Sequence, residues 1–185
     1  VIAYDRIIRD SDLDLYVSFD NERVGELQAR FLIDHLPTPG NGRIVRIFGA
    51  KTDNNAALFK EGQDRVLAPY VERGDIQILH EDWAEDWKPE NAKRIVNAAI
   101  TANGSRIDAV LASNDGTAGG AIQALSEEGL AGKVLVTGQD AETVALQRIA
   151  VGTQAMTIYK PLRTLASGAA ELAVRLAERK VVVAP

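Results

Sequence analysis

Residues 109–129 read AVLASNDGTAGGAIQALSEEG, and this stretch decides the fold. Four apolar residues in a row, Ala109–Ala112, are too few for a helix and read as a strand buried on both faces. Ser113, Asn114 and Asp115 make a polar turn, and Gly116 to Glu128 carries helical spacing closed by Gly129. Working outward, the same strand, turn and helix recur. RIVRIF at 43–48 passes through GAKTDNN into a helix running to about Leu67 and closed by Pro69. QIL at 77–79 precedes a helix from Pro89 to about Ala102, and VLVTG at 134–138 precedes one from Glu142 to Val151. A helix from about Glu22 to Leu36 has Val24, Leu27, Phe31, Leu32 and Leu36 as its apolar stripe, with Asp20 or Asn21 to cap it. TIY at 157–159 reads as a short strand, and Leu162 to Arg179 as the last long helix. Strands and helices alternating at this spacing predict an α/β fold, a doubly wound parallel sheet with helices on both faces.

The chain opens as VIAYDR, a buried strand whose Asp5 and Arg6 emerge at its carboxyl end. So apolar a strand at the first residue is expected to have earlier strands beside it in the parent polypeptide. Composition narrows the function classes. Of 185 residues, 46% are hydrophobic and 25% charged, the balance of a packed domain, and no cysteine is present for disulfides, thiolate chemistry or cysteine-ligated metal. A net charge of -5 argues against nucleic acid or an anionic membrane as the main partner.

Ligands of open parallel sheets sit beyond the carboxyl ends of the strands. The residues there are Asp5 and Arg6, Asp53 to Asn55, Trp83 and Trp87, Ser113 to Asp115, Gln139 and Asp140, and Tyr159 and Lys160. Carboxylates and amides accept and donate to hydroxyls, Arg and Lys donate to oxygens, and an indole covers the apolar face of a small ring. That set suits a small polyol or sugar. Each group also has an ordinary structural reading: Asn114 and Asp115 as helix caps, the tryptophans as buried packing, Lys160 as a solvated strand end. His35 and His80 are separated and read as structural. The sequence has no GxSxG elbow, GxxxxGK[ST] loop or HExxH, and GNG at 40–42 and TAGG at 117–120 lack the GxGxxG spacing of a dinucleotide loop. Enzyme signatures are thus absent or poor, no cofactor or metal is expected, and Asp53 with Asp140 is left as an acid–base pair without support in distance.

VIAYDR, YVSFDN, TDNNA, ASNDGTAGGAIQAL, VTGQDAE and GTQAMTIYKP, in this order, carry a family resemblance over essentially the whole chain. The sequence resembles the type I periplasmic binding proteins of bacterial ABC sugar importers, and most closely their D-xylose-binding members. The resemblance implies two doubly wound lobes with a monosaccharide between them, delivery to the permease subunits of an ABC transporter, and a monomer in the periplasm or held by a lipid anchor. It implies a fragment of the amino-terminal lobe at 1–18, a nearly complete carboxy-terminal lobe at 19–153 and a returning strand and helix at 154–185, with crossings near Ser18–Phe19 and Gln154–Ala155. It also implies sugar contacts from Asp5, Arg6, Asp53, Asn55, Trp87, Asn114, Asp140 and Lys160. The end, KVVVAP at 180–185, departs from the polar, glycine-bearing stretch of close relatives. A regulatory or chemoreceptor module of the same fold, or a receptor for glucose or ribose, is the alternative.

Overall fold

The computed structural model describes residues 1–182, so the last three residues of KVVVAP lie outside the described residues. The chain divides into two compact units, Val1–Asp20 with Lys160 onward, and Asn21–Tyr159.

In the larger unit, strands β3 (Gly42–Phe48), β4 (Ile76–Trp83), β5 (Ala109–Ala112) and β6 (Leu135–Val136) form one parallel sheet in the order β4-β3-β5-β6. Side chains alternate across it with period two. Ile44, Ala109 and Leu111 face a core built with Ala29, Leu32, Ile33 and Leu36 of the α1 region (α1, Asn21–His35) and Leu67 of α2 (Asn54–Glu72). Val45, Ile47, Val110 and Ala112 face the opposite core, with α3 (Pro89–Asn103) and α4 (Asp115–Glu127). The expected double winding is therefore present. A last short helix of this unit, α5 (Thr143–Ala150), buries Ala145.

The buried stripe of α1 differs from its sequence reading. Leu27 is 37% exposed, whereas Gln28 is fully buried, with Val24, Ala29, Leu32 and Ile33 around it. The reason is polar. Gln28 Nε2 donates to the carbonyls of Ser113 and Gly138, both at 3.1 Å, where two strands end, and its Oε1 accepts from Gln63 Nε2 at 3.0 Å. Buried carbonyls need donors, and an amide side chain meets that need where a leucine would not. Arg46, 3% exposed, extends the chain of bonds from Gln63 to Asp64 and Glu81 at the surface.

Three boundaries also move. Pro69 does not close α2, which runs to Glu72: the proline loses one ladder bond near the helix end, while Tyr70 packs onto the core and its carbonyl accepts from Asp75. Strand β4 extends to Trp83, well beyond QIL, because it pairs along the length of β3. Thr157–Tyr159 forms only an isolated parallel bridge between Ile158 and Gln139, since the Thr157 hydroxyl turns inward to Asp115.

The smaller unit contains β1 (Ile2–Tyr4), paired in parallel with β2 (Leu15–Val17), and α6 (Leu162–Ala177). The sequence reading passed over β2, whose three residues sit in an acidic context with no long apolar run. Ala3 is the one fully buried hydrophobic residue of this unit among the described residues.

Candidate functional site

The order β4-β3-β5-β6 places a topological switch at the β3/β5 junction: the helices after β3 and β5, α2 and α4, depart to opposite faces and leave a crevice at the carboxyl edge. Three polar turns open on that edge.

The first follows β3. Asp53 caps α2, its Oδ1 accepting from the Asn55 amide at 3.0 Å, and its Oδ2 accepts from Trp87 Nε1 at 3.1 Å. Asn55, also buried, accepts from Asn21 Nδ2 at 3.0 Å. Trp87 sits at φ 60°, after Asp86 at φ 54°, with its ring edge-on to Phe59 at 6.3 Å. A Cβ on Gly49 would run into that indole, so the strand end needs glycine for the ring to lie across it. The structure thus joins Asp53, Asn55 and Trp87 into one connected group. Trp83 is instead spent on packing, tilted against Phe48 at 5.0 Å.

The second turn follows β5. Asn114 is the N-cap of α4 and forms a capping box with Thr117, so the ordinary reading of this residue holds alongside its place at the switch point. Asp115 is not a cap. Its carboxylate is fully buried and accepts from Gln154 Nε2, the Thr157 hydroxyl and the Glu142 amide at 2.7–3.0 Å.

The third turn, after β6, carries Asp140, exposed and at φ 103°, followed by Ala141 at φ 53°. It is tied to the second through the Asp115 amide, which donates to the Gln139 carbonyl at 2.9 Å. The Glu142 carboxyl here is pushed up by burial and by the Asp115 and Asp140 charges, with Arg148 opposing. A raised folded pKa means that the folded state holds the proton more tightly than the unfolded chain, so ionisation at Glu142 costs stability as pH rises through the raised value. Glu142→Gln is therefore expected to raise the melting temperature at pH 7 and to have no such advantage at a pH below the ordinary glutamate value. Melting curves at both pH values check the sign, and an equal shift at the two would refute it.

In the smaller unit, Asp5 lies at φ 63°; its amide donates to the Val17 carbonyl, and its carbonyl accepts from Ser18 Oγ and Tyr16 Oη. Arg6 is exposed beside it, and Lys160 Nζ stands 5.6 Å from the Phe19 ring centroid. Three of the eight candidate residues, Asp5, Trp87 and Asp140, hold positive φ without being glycine. Such strain collects at functional sites because the surrounding structure must over-determine it.

His35 stacks on Phe31 at 3.9 Å and bonds its carbonyl, a structural role. Asp115 stands among the strand-end residues of the sequence reading, whereas Gly49, Gln154 and Thr157 do not. Of these three, only Gly49 has a signal, its place directly after the strand RIVRIF.

Residues 1–180 match the family model described as a periplasmic binding protein domain. The chain belongs to the periplasmic binding protein family. It is 56% identical over 176 residues to the D-xylose-binding periplasmic protein of Escherichia coli (strain K12), covering 95% of this chain and 52% of that protein. It is 50% identical to the D-xylose-binding periplasmic protein of Haemophilus influenzae, covering all of this chain and 54% of that one. Among solved structures, a carbohydrate transporter solute binding protein from Chloroflexus aurantiacus in complex with D-glucose superposes with a TM-score of 0.89 at 35% identity, over 100% of this chain and 62% of that one. This periplasmic binding protein chain thus spans about half the length of the curated relatives that it matches.

Proposed function

We propose that the protein containing this chain is the solute-binding component of an ABC sugar importer, a periplasmic receptor that binds a monosaccharide, D-xylose first, and passes it to the membrane permease without chemical change. The observation that carries the reading is the set of turns at one sheet edge: Asp53 and Asn55 after β3, joined by Trp87 after β4, with Asn114 after β5 and Asp140 after β6. Identity to two D-xylose-binding proteins at 56% and 50% supports the choice of sugar. Asp53, Asn55, Asn114 and Asp140 offer acceptors and donors to hydroxyls, and Trp87 offers an apolar face to the sugar ring. Asp5, Arg6 and Lys160 are proposed as further contacts. A hydroxyl left unmatched in such a site costs about 1–3 kcal/mol, which gives selectivity among sugars as well as affinity.

Isothermal titration of the full-length protein with D-xylose, D-glucose, D-ribose and L-arabinose tests this. One-to-one binding that prefers D-xylose is expected, with Asp140→Ala weakening it about 100-fold, the loss of a charge-assisted pair of hydrogen bonds. Binding of none of the four sugars would overturn the receptor reading. Preference for another of them would keep the receptor and replace its ligand.

A further inference from the structure

The turn that carries Asp140 is held by three consecutive backbone amides. Asp140 N donates to the Ile158 carbonyl at 2.9 Å, Ala141 N to the Thr157 hydroxyl at 3.1 Å, and Glu142 N to Asp115 Oδ2 at 3.0 Å. The Thr157 hydroxyl, accepting from Ala141, donates its own proton to the same Asp115 oxygen at 2.9 Å. The other Asp115 oxygen takes Gln154 Nε2 at 2.7 Å, and a Cβ on Gly138 would run into both atoms of that bond. Arg148 braces the assembly, donating to Gln154 Oε1 at 2.9 Å and to the Asp115 carbonyl at 2.7 Å.

These bonds fall on a turn where two adjacent residues other than glycine, Asp140 and Ala141, both hold positive φ, as Asp86 and Trp87 also do, and where the acidic side chain of Asp140 stands exposed. Left alone, each would relax, because a residue with a Cβ is strained in this backbone region. The anchoring amides lie on the backbone of the turn, and the Asp140 side chain stands exposed on it. A buried carboxylate with three donors is a stiff anchor, since charge-assisted bonds are roughly twice as strong as neutral ones.

We propose that Asp115 and Thr157 are positioning residues for Asp140: they touch no sugar, and they lock residues 140–142 in the positive-φ turn that aims the Asp140 carboxylate at it. The proposal rests on Asp140 being a sugar contact. The same clasp grips Gln154 and Thr157, so one set of bonds holds the turn and the segment at 154–157.

The test is a titration of the full-length protein with D-xylose in a double-mutant cycle. Thr157→Val removes both bonds of the hydroxyl at nearly constant shape and is expected to weaken binding about tenfold, while Thr157→Ser, which keeps the hydroxyl, recovers most of the affinity. Asp115→Asn, which turns one acceptor into a donor facing donors, is a second cut at the same turn and is expected to act in the same direction. In an Asp140→Asn background, Thr157→Val should cause little further loss, because the residue acts through Asp140. A general structural role would give the same additional loss in both backgrounds and no distinction between serine and valine. Parental affinity in both Thr157→Val and Asp115→Asn, or a full further loss in the Asp140→Asn background, overturns the proposal and leaves the receptor reading intact. A parent protein that binds no monosaccharide brings down the receptor reading, and the proposal with it.

Discussion

Gly62→Ala is expected to unfold the larger unit or to lower its melting temperature by about 6–12 °C, the equivalent of about 3 kcal/mol in a domain of this size. A Cβ at Gly62, on α2, would land on the backbone carbonyl of Glu22 and near the Glu26 amide of α1; a Cβ at Gly25, on α1, would land on the Phe59 carbonyl of α2. The two glycines are reciprocal. Where a new methyl meets a side chain, a rotamer can yield, but here it meets backbone, so the helices themselves must separate. Separation would also stretch the 3.0 Å bond between Gln63 and Gln28, which lies next to this contact, and so reach the strand ends beneath the candidate site. Thermal unfolding of Gly62→Ala beside Gly116→Ala checks the argument, because a Cβ at Gly116 meets only the Asn114 side chain at ordinary contact distances of 3.6–3.7 Å. Equal melting temperatures for the two variants would show that α1 and α2 have slack.

Gln28→Leu is expected to cost about 2–4 kcal/mol, since it orphans a buried amide and leaves strand-end carbonyls short of donors at about 1–3 kcal/mol each. Leucine fits the volume and improves the apolar stripe, so simple hydrophobic accounting predicts a gain. The structure predicts a loss. Gln63 Nε2 loses its acceptor, and the Ser113 and Gly138 carbonyls lose the donor that joins the ends of two strands. Neither carbonyl is wholly abandoned, as Ser113 O keeps Gln139 Nε2 at 3.4 Å and Gly138 O keeps the Ile158 amide at 3.2 Å, which holds the expected cost below that of full orphaning. Because these carbonyls precede Asn114 and lie two residues before Asp140, sugar affinity should fall along with stability. Denaturant unfolding and titration of the same variant measure both, and a variant as stable as its parent would mean that the amide is replaceable by packing.

The two variants mark where a linear reading stops. The stripe on α1 was read from apolar spacing, so it enrolled Leu27, which is exposed, and omitted Gln28, which is central. Its partners are 35, 85 and 110 residues away in the chain, and no local pattern connects them. The same holds at the site. Asp53, Asn114 and Asp140 were legible as strand-end polar residues, but the link from Asp53 to Trp87 spans 34 residues and depends on a missing side chain at Gly49. Asp115 was legible as a strand-end polar residue and as a helix cap, and its role as a buried anchor depends on Gln154 and Thr157 arriving from the far side of α5.

The sequence by itself determined the alternation of apolar strands with helices, hence a doubly wound parallel sheet, and the placing of polar residues after strand ends. Both follow from periodicity and from the position of ligands on such sheets, which are local or topological rules. Only the tertiary structure decided the strand order that sets the switch between β3 and β5, the closeness of α1 to α2, and the clasp beneath Asp140. Those features depend on which distant groups meet, and a hydrogen bond or a steric contact is fixed by distances of a few tenths of an ångström that no local pattern encodes.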